Sequence, residues 1–221
     1  MTVDGISTIG LIGAGNIGGA LARVALRNGY RVVLSNSRGP ETLASLVADL
    51  GDGASAATPA DAAAAGDLVV VTIPLRSIDA VPVEPPAGKI VIDTNNYYPQ
   101  RDGRIPRLDA NEATTAGLLQ EHLPTSKVVK AFNHLGAADI VTAGTPAGTA
   151  GRRALAVFGD DEGARRTVEA LIGEFGFDTV DGGPLSESWR TERDQPAYGA
   201  RLDRAGLERA LAEATHDKNG R

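Results

Sequence analysis

Residues 13–19 read GAGNIGG, and about twenty residues later the chain reads SNSRG at 35–39. Gly13, Gly15 and Gly18 match the G-x-G-x-x-G spacing. In that pattern the first glycine permits a tight turn, the second lets the backbone approach a pyrophosphate, and the third lets the following helix pack closely on the strand. A helix opening at Asn16 and Ile17 would present free N–H groups to phosphates. Turns of this kind usually look ahead to an Asp or Glu that holds the adenosine ribose hydroxyls. Here that place is taken by Ser35, Asn36, Ser37 and Arg38, and the nearest acid is Glu41. A carboxylate would repel a 2'-phosphate, whereas neutral donors and a guanidinium would pair with it. The pattern therefore favours NADP over NAD.

Other chemistry is excluded or confined to few residues. There is no cysteine, so no thiol nucleophile, disulfide or thiolate metal site exists. His122, His134 and His216 lack the spacing of a zinc site, and no metal is expected. No Y-x-x-x-K pair, phosphate-binding G-x-x-x-x-G-K-[ST] loop or G-x-S-x-G elbow occurs. Asp160, Asp161 and Glu162 read as acids at a helix start. Transfer of a hydride between stacked rings needs proximity and orientation above all. Reduction of a carbonyl or imine needs a proton donor as well. His134, with Asn133 beside it, is the leading candidate, although a histidine in such a place is more often structural or a loop residue. Tyr97, Tyr98 and Lys130 are the other candidates. A rim-packing role suits the tyrosines, and Lys130 is expected to reach solvent from a strand end. The arginines at 101, 104, 107, 190, 193, 201 and 204 are expected to be surface charge balanced by nearby acids.

The elements that must position these residues follow from periodicity. Apolar runs at 8–12, 31–34, 54–57, 67–73, 89–94 and 127–132 read as strands, several of them apolar throughout, as in a sheet covered on both faces. Helical stripes fall at 16–28, after Gly39-Pro40, at 58–66, and over NEATTAGLLQEHLP at 111–124. A strand at 153–159, a helix at 162–175, a strand at 177–185 and a helix at 204–214 complete the chain, and the polar THDKNGR end is expected to fray. This alternation predicts an α/β, Rossmann-like, doubly wound and mostly parallel sheet with a short C-terminal α/β extension. Residues 1–150 would form the dinucleotide domain, and 151–221 a strand-helix-strand extension and tail packed on it. The ligand crevice should lie at the carboxyl ends of the strands, in loops 13–18, 35–39, 74–77, 95–98 and 133–136.

Length and composition agree. The chain has 221 residues, 42% apolar and 23% charged, enough for one substantial core. A net charge of −6 and few aromatics give no support to nucleic-acid binding. No signal peptide or membrane span is legible, so a cytoplasmic location is expected. Leu207, Ala210, Leu211 and Ala214 would either dock a second copy, making a homodimer, or pack on the chain's own sheet.

The stretches TIGLIGAGNIGGALA, VVLSNSRG, VVVTIP, VVKAFN and DGGPLSES, in that order over residues 7–188, resemble the NADP oxidoreductases similar to coenzyme F-420-dependent NADP reductase. The metalloreductase domains of membrane ferric reductases share the pattern. The resemblance implies that Gly13, Gly15, Ile17 and Gly18 touch the pyrophosphate and that Asn36, Ser37 and Arg38 hold the 2'-phosphate. It further implies that Ile73 and Pro74 flank the ribose, and that Ala131, Phe132 and Asn133 lie near the nicotinamide. A planar redox partner would sit above Pro74, Asn95 and Asn133. The expected activity is hydride exchange between NADP(H) and a small redox substrate, with coenzyme F-420 as the leading partner. The alternatives are an NADPH-dependent reductase of a small carbonyl, imine or ferric substrate, and a non-catalytic NADP(H) sensor.

Overall fold

A computed structural model of the chain describes residues 2, 3 and 5–216. The apolar runs become strands β1 (Thr8–Ile12), β2 (Arg31–Ser35), β3 (Ala54–Ala56), β4 (Leu68–Val71), β5 (Ile90–Asp93), β6 (Lys127–Lys130), β7 (Ala154–Gly159) and β8 (Asp178–Gly183). They form one sheet in the order β3-β2-β1-β4-β5-β6-β7-β8. From β3 to β6 every pairing is parallel, β7 runs antiparallel to β6, and β8 is parallel to β7. Chain order reverses between β1 and β4, which is where a doubly wound sheet opens a crevice.

The helices are α1 (Asn16–Arg27), α2 (Ala44–Leu50), α3 (Pro59–Ala65), α4 (Pro99–Asp102), α5 (Pro106–Asp109), α6 (Thr115–His122), α7 (Ala137–Thr142), α8 (Glu162–Glu174) and α9 (Arg204–Glu213). Alternate strand residues point to opposite faces, so adjacent residues in one strand feed two cores. Val129 packs with Leu21 and Val24 of α1 and Val168 and Leu171 of α8, whereas Val128 packs with Leu119 and Leu123 on the α6 side. Leu207, Ala210 and Leu211 of α9 cover β7 and β8, packing with Ala156, Phe158 and Val180 of the same chain.

The segment 111–124 is helical only from Thr115. Asn111 adopts a left-handed conformation (φ 58°), and the Thr114 side chain caps the helix by accepting from the Gly117 N–H. Pro99 and Pro106 each open a one-turn helix that apolar periodicity does not reveal. The C-terminal tail is held at its start. Gln195 exchanges two hydrogen bonds with the Thr215 backbone, and the His216 ring stacks on Trp189 at 3.7 Å. The rest of the expected frayed end, 217–221, lies outside the described residues.

Candidate functional site

The loops that follow β1, β4, β5 and β6 enclose a crevice of about 400 Å³. Its walls include Asn16 and Ile17 from the start of α1, Thr72, Ile73 and Pro74 after β4, Asn95 after β5, and Asn133 after β6. Asn16, Ile17, Ile73, Pro74, Asn95, Phe132 and Asn133, all singled out from sequence, are thereby brought together. A separate hollow of about 460 Å³ lies between α6 and residues 185–195. It contains none of the glycine-turn residues, and the crevice at the switch point is the better candidate site.

The glycine turn shows a division of labour. Gly13 has φ 109°, and a Cβ there would meet the Thr72 carbonyl oxygen at 2.6 Å. A Cβ on Gly18 would come within 2.0 Å of the Gly13 carbonyl oxygen. Thr72 Oγ1 donates to that same carbonyl at 2.8 Å, which ties the turn to the end of β4. Both glycines are thus required by the protein itself. Gly15 is different: it has an ordinary φ of −78°, and a Cβ there meets nothing within 4 Å. The protein leaves that space open, as close approach of a ligand to the backbone requires. α1 also starts without a side-chain cap or an acid in its first turn, whereas α3, α6, α8 and α9 are capped by Thr58, Thr114, Asp161 and Asp203. Uncapped N–H groups at a helix start favour an anion.

Beyond β2, the Asn36 side chain shapes the loop. Its Oδ1 accepts from the Arg38 N–H at 2.9 Å, and its Nδ2 donates to Thr42 Oγ1 at 2.8 Å. Ser37 and Arg38 are exposed, and the Arg38 guanidinium makes no hydrogen bond or ion pair among the described residues. Ser35 departs from its expected role. It is fully buried, and its hydroxyl donates to the Leu11 carbonyl at 2.9 Å, so it braces β2 against β1 and offers nothing to a ligand.

The β5–β6 wall rests on a buried ion pair. Lys130, expected to reach solvent, is fully buried. Its ammonium donates to Asp93 Oδ2 at 2.9 Å, to Thr115 Oγ1 at 2.7 Å and to the Asn95 carbonyl. Asp93 Oδ1 accepts from the Asn95 N–H at 2.9 Å. Thr115 in turn donates from both N–H and hydroxyl to Glu192. A charge this deep survives only when paired and hydrogen-bonded, and its partners come from two separate stretches of chain, with Glu192 from a third behind Thr115. The cluster fixes the Asn95 backbone, while Asn95 Nδ2 stays buried with no partner at the crevice.

After β6 the backbone turns through Phe132, which has φ 60° and is buried against Phe175. A left-handed conformation in a bulky residue is costly, and here it aims Asn133 into the crevice. Asn133 Nδ2 donates to the Thr191 carbonyl at 2.9 Å, and the Asn133 carbonyl accepts from Asn96 at 2.7 Å. Ala131 is buried beneath and does not line the crevice. His134 does not line it either, which corrects its candidacy as a proton donor. It is 2% exposed, and burial, with Arg153 and Lys130 nearby, lowers its pKa to about 3. Its Nε2 accepts from the Ala156 N–H at 3.4 Å, leaving Nδ1 to donate to Asn133 Oδ1 at 3.4 Å. The ring is neutral and holds Asn133.

Tyr97 and Tyr98 diverge. Tyr97 is buried, and its hydroxyl bridges the Ile105 N–H and Asp109, which staples α5 in place. Tyr98 lines the crevice, and its hydroxyl lies 2.5 Å from that of Tyr198. Arg101 also lines the crevice, with its guanidinium 4.8 Å from the Tyr98 ring centre and paired to Asp102. Sequence reasoning missed Tyr198 because a hundred residues separate it from Tyr98 and no periodicity marks its loop. The remaining arginines pair largely as expected: Arg104 with Asp109, Arg107 with Glu121, and Arg190 with Glu187.

Among the described residues no helix is long and apolar enough to cross a membrane. Residues 8–97 match the family model described as NADP oxidoreductase, coenzyme F420-dependent. The crystal structure of the hypothetical protein SMa0349 from Sinorhizobium meliloti superposes with a TM-score of 0.77 at 32% identity, covering 92% of this chain and 96% of that one. A protein from Arthrobacter, described as a candidate F420-dependent NADP reductase, superposes with a TM-score of 0.71 at 27% identity, covering 83% and 87%. Metalloreductase STEAP3 from Rattus norvegicus is 26% identical over 186 residues, 83% of this chain and 35% of that protein. The chain spans less than half the length of the curated relatives it matches.

Proposed function

We infer, for a chain that belongs to the NADP oxidoreductase family described as coenzyme F420-dependent, that it exchanges a hydride between NADP(H) and a planar redox partner seated over Pro74, Asn95 and Asn133. Members of the family are NADP(H)-binding oxidoreductases. The observation that carries the reading is the open turn at Gly15, where added bulk would meet only a ligand, beside an uncapped helix start. The residues present fit the dinucleotide. The α1 N–H groups would hold the pyrophosphate, and Ser37 and Arg38 the 2'-phosphate. Ile73 and Pro74 would line the ribose, and the unpartnered Asn95 Nδ2 and Asn133 would face the nicotinamide end.

Bound NADPH would supply the hydride. The chain's own task is to orient and to exclude water. The Lys130–Asp93 pair sets the Asn95 backbone, and the neutral His134 holds the Asn133 amide. A deazaflavin of the F-420 type is the partner we favour, on the family description and on the Arthrobacter relative. The likeness to a metalloreductase supports a second reading, with a ferric complex as the final acceptor.

Mixing the protein with NADPH and coenzyme F-420 and following both absorbances tests the first reading. Stoichiometric loss of one signal with the other is expected. Turnover only with ferric complexes would favour the second reading. Tight NADPH binding without turnover across acceptors would reduce the chain to a binding module.

A further inference from the structure

We propose that the Tyr98 hydroxyl, backed by Tyr198, is the proton donor that accompanies hydride transfer in the crevice, so that the chain is built for neutral acceptors whose ring nitrogen or oxygen must be protonated. The proposal rests on the oxidoreductase reading above and adds a residue to it.

Two phenols at 2.5 Å share one hydrogen bond, so one proton lies between the oxygens and the other is free. Both tyrosines line the crevice with Pro74 and Asn133; when Tyr198 donates to the Tyr98 oxygen, the Tyr98 proton is the free one. Burial, followed by the hydrogen bond to Tyr98, raises the Tyr198 pKa, as suits a phenol that keeps its proton and donates it. The surrounding charge favours the same direction of transfer. Arg101 lies 4.8 Å and Arg193 5.5 Å from the centre of the Tyr98 ring, where negative charge develops as the proton leaves. The opposing acids are Asp102, which pairs with Arg101 and accepts from the Tyr98 N–H, and Asp194, which pairs with Arg193. The pair is also held from outside the crevice. The Tyr198 N–H donates to Gln195, and the next residue, Gly199, donates to the His134 carbonyl at 2.9 Å, fixing this turn to the end of β6.

The chemistry balances. The acceptor carbon gains a C–H bond and an electron pair from the reduced dinucleotide, which is left as the oxidised pyridinium. The acceptor's conjugated nitrogen or oxygen gains a proton as the Tyr98 O–H bond breaks, and the Tyr98 phenolate, stabilised by the Tyr198 hydrogen bond, is reprotonated from solvent.

The test compares two planar tricyclic acceptors with NADPH as donor. A deazaflavin needs hydride and proton together. An N-methylacridinium cation takes hydride at carbon and becomes neutral, so it needs no proton. In Tyr98→Phe the deazaflavin rate relative to the acridinium rate should fall by about 100-fold or more. Tyr198→Phe should lower the same ratio by about tenfold, the smaller effect expected of a group that acts through Tyr98. A readout independent of turnover is the phenolate absorbance of the unliganded protein: Tyr198 should ionise at lower pH in Tyr98→Phe than in the parent. An unchanged ratio would overturn the proposal and leave the oxidoreductase reading intact. So would a parent protein that reduces acridinium but not deazaflavin. A parent inert toward both acceptors would end both readings.

Discussion

At the β1–β4 end of the crevice the shape is set by backbone. Gly13 and Gly18 make room for each other's chain, Thr72 clamps one carbonyl, and Gly15 and the first turn of α1 stand open. At the β5–β6 end the shape is set by side chains, many of them polar and buried: Lys130 on Asp93, His134 on Asn133, and Tyr98 on Tyr198. The first end presents N–H groups to any anion of the right shape. The second needs several residues, distant in sequence, to keep their partners. Loss of a single ligand contact at the phosphate end should therefore leave the fold and the redox end intact, whereas the redox end should fail as a unit.

The sharpest break in that contrast is Lys130→Met. It leaves the Asp93 carboxylate buried without its counter-ion, and removing one partner of such a pair costs about 3–5 kcal/mol. Urea unfolding should show a loss of that size. A second change, Lys130→Met with Asp93→Asn, should recover part of it. If the single variant loses less than about 1 kcal/mol, the wall does not depend on this pair.

Acid offers the next largest effect. The folded-state pKa of His134, about 3, lies below its unfolded value of 6.5. Between those limits the unfolded chain binds the extra proton, so stability is complete above pH 6.5 and falls as the pH drops toward 3. The slope contributed by one such group approaches about 1.4 kcal/mol per pH unit. Asp67, whose carboxylate accepts from Ser7 and Thr8, has a lowered pKa and adds to the loss at the acid end. Denaturant midpoints measured across this range should show that slope, and His134→Gln should flatten it. An equal slope in the variant would mean that His134 is not held neutral.

The two ends also differ in how legible they were. The glycine turn can be read because three glycines in six residues serve one local geometry, and the strand before it and the helix after it are periodic. The order of β1 to β6 follows from apolar runs in the same way. The other end has no such signature. Lys130 looks like a strand-end lysine until Asp93 and Thr115, 37 and 15 residues away, are brought beneath it. His134 looks like a loop histidine until β7 supplies an N–H and closes over it. Ser35 looks like a phosphate donor because sequence cannot tell that its hydroxyl turns toward β1. Each of these roles is set by long-range pairing, which local pattern does not encode.

Within the turn itself a matched pair of substitutions separates fold from ligand. Gly18→Ala forces a Cβ to within 2.0 Å of the Gly13 carbonyl oxygen. It should destabilise the unliganded protein by about 1–3 kcal/mol. Gly15→Ala adds a Cβ into open space and should change stability by no more than about 0.5 kcal/mol. NADPH affinity should nonetheless fall at least about tenfold, because a methyl group now stands where the pyrophosphate approaches. Thermal melts of the unliganded proteins, paired with NADPH titrations, give both numbers. If Gly15→Ala binds NADPH as tightly as the parent, the open space is not the phosphate cradle.

The smallest effect and the most selective one belongs to Arg38. Its guanidinium is exposed and uncommitted among the described residues, so Arg38→Ala should leave the fold and the redox end untouched. A hydrogen bond to a charged group contributes about 1.5–3 kcal/mol. Exposure places this one toward the low end, so NADPH binding should weaken by roughly 10- to 30-fold. NADH lacks the 2'-phosphate and should bind Arg38→Ala and the parent alike, and the preference for NADPH should also decline in the parent as salt is raised. Isothermal titration of both dinucleotides against both proteins measures the difference directly. Equal weakening for the two would show that Arg38 contacts the part they share. In that case the loop after β2 would belong with the rest of the phosphate end, as a holder of any dinucleotide, and would not select between them.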